Sequence, residues 1–305
     1  MPRPHQFAGI AILTALAAGA ARAQPRAEPP EWTDSERELF PADARQLLVG
    51  PRPDFSQRAA AAAVVAAEET ATESYAWSAL ISTDTVEGEI KRQANRVAGL
   101  VQSATAFKGG GYREARDAFS MLAVMFAIAA EHDGDARWRD RAASLSALFS
   151  RAGANCKVGT DGSFREAAAR SQDLADLVRG GRPDTPKPDA DRTWGDVADR
   201  VPLMRRMEVA QQEQLSQLTA NAKDFSRGAE EAAHEAQVLA ALAEVIIREG
   251  FTDADDESYA DYARELRDAS AEIARSAEQD LYDPARAALG RATKSCSACH
   301  EDYRG

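Results

Sequence analysis

Asp283–Arg304 reads DPARAALGRATKSCSACHEDYR. Within it Ala285, Ala288, Leu289, Ala292, Cys296, Cys299, His300 and Tyr303 recur at three- and four-residue steps, which is one stripe of an α-helix. Asp283 reads as an N-cap and Pro284 as the first helical residue, where a missing N–H is tolerated. The same spacing runs back through the chain. A helix over about Glu257–Gln279 carries Tyr259, Tyr262, Leu266 and Ile273, and one over about Arg227–Glu249 carries Val238, Leu239, Leu242 and Ile246 and stops at Gly250. A further helix is predicted over about Trp194–Lys223.

The first half reads as a worn copy of this pattern. AFKGGGYREARDAFSMLAVMFAIAAEH (Ala106–His132) parallels DFSRGAEEAAHEAQVLAALAEVIIREG (Asp224–Gly250), about 118 positions on. Its helices are predicted at about 84–106, 112–132, 136–157 and 162–179, after an alanine-rich helix over 57–81. The expected fold is therefore all-α, two antiparallel four-helix bundles in tandem. The expected divisions are 1–23 as a signal peptide, 24–55 as a proline-rich extended arm, 56–180 as the first bundle, 181–193 as a Gly/Pro/Asp-rich linker and 194–305 as the second bundle.

Composition agrees. Hydrophobic residues make up 44% of the 305, enough for a core, and aromatics only 7%, which with abundant Ala, Glu and Arg favours helix over sheet. A formal charge of −12 speaks against nucleic acid or anionic membrane as a general partner. Arg3 and His5, the apolar run Phe7–Ala20 and the small-x-small Ala21-Arg22-Ala23 read as an export signal, so a periplasmic or otherwise exported location is expected. No later stretch is apolar enough for an integral membrane segment.

Cys296-Ser297-Ala298-Cys299-His300 is a CxxCH, the mark of covalent c-type haem attachment. Two thiols three apart on a helix can each add to one vinyl group of a single porphyrin, and the adjacent imidazole is then the proximal ligand to iron. A CxxC redox pair usually opens a helix in a βαβ context, absent from this pattern. A structural zinc site needs four ligands, more than the motif and its surroundings supply.

Five residues follow His300, and they include Tyr303 and Arg304. This CxxCHxxYR ending resembles the class II c-type cytochromes, the cytochrome c-prime family, over about residues 194–304. The resemblance implies one covalent haem c in the second bundle and a haem-free first bundle. It also implies an Arg on the first helix, matched by Arg200, and four residues on the side chain on the distal side of the iron, matched by Met204. Methionine there implies the low-spin, electron-transferring type, whereas leucine marks gas-binding members. Val197, Val201 and Met204 are expected on one helical face, with Met207 the reserve ligand and Pro202 a kink or restart of the helix. Arg200, Tyr303 and Arg304 are the candidates for the haem edge and its propionates.

The function expected is periplasmic one-electron transfer with His300/Met204 ligation, without catalysis. The alternative is a five-coordinate protein that binds nitric oxide or carbon monoxide. The partners expected are a redox protein steered by a basic collar of Arg200, Arg205, Arg206, Arg291, Lys294 and Arg304, and a second copy of the chain as a homodimer. His132 and His234 receive no role. Cys156, on an apolar stripe with Leu145, Leu148, Phe149 and Ala152, reads as a buried inert thiol.

Overall fold

The computed structural model describes residues 76–187 and 189–304, so the signal, the proline-rich arm and nearly all of the 57–81 helix lie outside the described residues. The described residues belong to one compact unit. They are all-α, with no strand among them. Helices α1 (Thr83–Leu100), α2 (Tyr112–Glu131), α3 (Arg139–Asn155) and α4 (Asp161–Val178) follow the predicted spans of the first half closely. The second half contributes α5 (Arg200–Glu208), α6 (Ala229–Val245), α7 (Glu257–Glu278) and α8 (Tyr282–Tyr303).

Each start has a local cause. Ser82 caps α1 by accepting from the Thr85 N–H, Thr160 and Ser163 form a capping box on α4, and Asp256 accepts from Ser258 and Tyr259 N–H at the head of α7. α8 starts two residues earlier than the proline suggests: Leu281 stands at the N-cap, and Pro284 is the third helical residue. Proline is tolerated there because the first-turn N–H groups have no intrahelical partner.

Two predictions about the entry to the second half do not hold. Trp194–Asp196 is a 3₁₀ turn and α5 begins only at Arg200, so Pro202 sits in the first turn and bends nothing. Val197 therefore precedes the helix and drops out of the expected face, while Val201 keeps its i, i+3 relation to Met204 but is 54% exposed. α5 runs on through a wider π-helical stretch, Val209–Leu215, to Leu218.

In the first half α1 packs on α2, α2 on α3, α3 on α4 and α4 back on α1. In the second, α6 packs on the π stretch of α5 and on α7, α7 on α8, and α8 on the π stretch again. The halves meet where α2 lies against α5 and α1 against α6. The first core is aromatic, with Phe149 stacked on both Phe119 (6.2 Å) and Phe126 (5.5 Å). The second relies on alanine, with Ala285, Ala288 and Ala292 of α8 all buried. Small side chains let α8 lie close to α7. Cys156 ends α3, fully buried as expected, and burial pushes its thiol up to about 12, which keeps it protonated and unreactive.

The seam holds two features built from residues 117 positions apart. Trp77 and Trp194 each open a 3₁₀ turn and meet at 5.4 Å, with the Arg248 guanidinium over both rings. Glu89 and Arg206 form a buried ion pair, to which Glu235 and His234 add from α6. Arg206 reaches each carboxylate through two bonds of 2.6–3.1 Å.

Gly250 ends the turn after α6 with φ +96, and a Cβ there would stand 2.3 Å from Thr193 Oγ1. Both the left-handed backbone and the packing demand glycine. Gly250→Ala is expected to lower stability by at least about 1 kcal/mol, read as a lower urea midpoint at unchanged slope.

Candidate functional site

α8 carries Cys296, Cys299 and His300 on its last two turns, and i, i+3, i+4 spacing sets the three on one side of the helix. Both cysteines are free thiols, half-buried against the core, while His300 is exposed. Burial pushes the Cys296 thiol up to about 11. Burial raises the Cys299 thiol too, against the opposing pull of the Arg200 charge. A thiol–disulfide exchange pair needs a lowered thiol pKa, so these two are poorly suited to redox exchange. Among the described residues no three His, Cys, Asp or Glu side chains gather to hold a bare metal ion. An iron held here would need most of its ligands from a macrocycle.

α8 is tied down around the motif. Ser295 Oγ donates to the Tyr262 carbonyl of α7 (2.6 Å), and Tyr303 OH donates to Asp256 Oδ1 (2.7 Å), the same oxygen that caps α7. The Tyr303 ring meets the Tyr259 ring edge-on at 5.3 Å. Arg200, the first residue of α5, comes from the other side. Its guanidinium donates to the Thr252 carbonyl and to Asp253 (both 3.0 Å) and lies 5.6 Å from the Tyr259 ring centroid. Arg200 and Tyr303 thus converge on Tyr259, next to Cys299. Arg304 is exposed and has no ion-pair partner among the described residues, so it stays apart from this cluster.

Met204 is half-buried against the core and Met207 is buried. The continuation of α5 runs antiparallel to α8, and Gln211 Nε2 donates to Thr293 Oγ1 at 2.8 Å. Seven residues back from Gln211 is Met204, and seven on from Thr293 is His300. Met204 and His300 therefore both lie beyond this contact, towards the same end of the antiparallel pair. Val201, Met204, Cys296, Cys299 and Tyr303 leave apolar surface partly open at this end. A flat apolar group covering it would remove that surface from water.

The Tyr259 hydroxyl is the odd group of the site. The residue is 1% exposed, yet its hydroxyl proton meets no acceptor, since the Arg200 guanidinium beside it can only donate. A buried unpaired polar group costs about 1–3 kcal/mol, so the arrangement suits a further group that brings an acceptor. Two thiols at the right spacing, an open apolar face, an adjacent imidazole and this orphaned donor all fit a covalently held haem.

The expected basic collar does not form as a free set of charges. Arg206 is buried between Glu89 and Glu235, Arg205 pairs with Asp117, Arg200 with Asp253 and Arg291 with Glu272. Lys294 and Arg304 are exposed without an ion-pair partner among the described residues. The four-residue charge cluster at the seam was not anticipated. Its signal is faint: Glu89 falls in register with buried Val86 and Ile90 on α1.

Two clefts, of about 410 Å³ at the seam and about 750 Å³ around Gly228 and His234, are lined by other residues than the motif. Among the described residues no helix is long and apolar enough to cross a membrane. No protein-family model, no curated protein and no solved structure matches this chain.

Proposed function

We propose that the chain is an exported c-type cytochrome of the class II kind, in which residues 194–305 form a four-helix bundle carrying one haem and 56–180 form a haem-free bundle. The observation that carries the reading is CxxCH on the half-open face of α8, with Met204 on the neighbouring antiparallel helix towards the same end of the pair. Cys296 and Cys299 would anchor the group, and His300 and Met204 would hold the iron. A haem so held supplies a one-electron Fe(III)/Fe(II) couple. Were His300 and Met204 both to hold the iron, no position would remain for a substrate, which favours electron transfer over catalysis. Close packing of α7 against α8 would give such a group a firm backbone support.

A pyridine-haemochrome assay on the mature protein tests this directly. One covalent haem per chain is expected, and Cys296→Ser with Cys299→Ser should abolish it while the helical content stays. A wild-type chain exported by a cell that matures c-type cytochromes, yet carrying no covalent haem, would overturn the reading.

A further inference from the structure

The Tyr259 hydroxyl raises a question that the axial ligands do not answer. It lies inside the site with its hydrogen unclaimed, and Arg200, the charged group beside it, carries only donors. Arg200 therefore supplies positive charge beside the phenol but cannot accept its proton. Tyr303, whose ring packs on the other side, has its hydroxyl committed to Asp256. The Arg200 guanidinium is held in place by Thr252 and Asp253, so it keeps its place beside the phenol. A phenol O–H and a guanidinium side by side, both pre-positioned, define a receptor for an acceptor group that is also anionic. A carboxylate meets both demands at once.

We propose that Tyr259 is a positioning residue of the haem site, whose hydroxyl donates to a haem propionate that Arg200 neutralises. The inference rests on the haem reading above, because the carboxylate it names is that of the porphyrin anchored one helix away at Cys299. Burial pushes the Tyr259 phenol above its ordinary range, so it is a neutral donor at any physiological pH. A hydrogen bond to the propionate draws negative charge away from the iron, which favours the ferrous state and raises the potential. The same bond satisfies a proton that the haem-free protein leaves without an acceptor.

That pairing predicts a change of sign between two backgrounds. In the haem-loaded chain, Tyr259→Phe is expected to lower both the midpoint potential and the melting temperature. In the Cys296→Ser/Cys299→Ser chain, which cannot attach haem, the same substitution deletes a buried hydroxyl whose proton has no acceptor, and the melting temperature should hold or rise. Tyr303→Phe is the control: its hydroxyl already has a partner, so it should lower the melting temperature in both backgrounds. Haem content is measured on every sample. An unchanged potential, or melting shifts of the same sign for Tyr259→Phe in both backgrounds, overturns the role of Tyr259 and leaves the cytochrome reading standing. Absence of covalent haem in the wild type removes both.

Discussion

Arg206→Leu is expected to destabilise the protein by about 3–5 kcal/mol, the cost of leaving a buried charge without its partner. Arg206 is 8% exposed, and the carboxylates of Glu89 and Glu235 that it bridges are 0% and 3% exposed. Leucine cannot neutralise either one. Burial alone pushes the Glu89 carboxyl up, but the His234 hydrogen bond and the Arg206 charge more than reverse this and hold it well below the usual carboxylate range. A depressed carboxyl contributes stability above its unfolded pKa, about 4.3, and that contribution fades as pH falls through the folded value. The deficit of Arg206→Leu should thus be full at pH 7 and shrink towards acid, where the abandoned Glu89 takes up a proton. Urea unfolding of both proteins between pH 7 and pH 3 checks this. Adding Glu89→Gln and Glu235→Gln to Arg206→Leu should recover much of the loss. A deficit under about 1 kcal/mol at pH 7 would mean that water solvates the cluster and that it does not hold the halves together.

The cluster also shows where sequence reading stops. Periodicity located α1 to α4 and α6 to α8 within a few residues, because each helix has one apolar stripe and a local cap such as Ser82, Thr160 or Asp256. It failed at the head of α5, where Trp194 and Val197 continue the apolar rhythm but belong to a 3₁₀ turn that packs against Gly250. Helical rhythm alone does not distinguish a turn leading into a helix from the helix itself. Pro202 is the better signal, since first-turn proline places the helix start one or two residues upstream. CxxCH was legible as a pattern because its residues are contiguous in the chain, and the helical spacing sets the three side chains on one side of α8. Glu89 and Arg206 were not, because their pairing joins residues 117 positions apart and each alone resembles a solvated charge on a helix. Tyr259 was read as core, and its ring is core; only the three-dimensional arrangement shows that its hydroxyl proton has no acceptor.

In a chain loaded with haem as proposed, Met204→Leu is expected to convert a low-spin ferric haem to a high-spin one while leaving the fold almost untouched. The two side chains have similar volume, and swaps of this kind in a core typically cost less than about 1.5 kcal/mol. Met204 is only half-buried, which lowers the cost further. A role in packing therefore predicts a small change in stability and no spectral change. A role as thioether ligand predicts loss of the sulfur-to-iron absorption band, a lower midpoint potential and a new site for carbon monoxide or nitric oxide on the distal side. Met207→Leu separates the register. Met207 is buried, 6% exposed, and should leave the spectrum unchanged if Met204 is the ligand. Loss of the band in Met207→Leu alone would shift ligation by one turn of α5. A wild-type ferric spectrum that is already high-spin would show that neither thioether reaches the iron. The open distal position would then make gas binding the function, with Met204 as apolar lining.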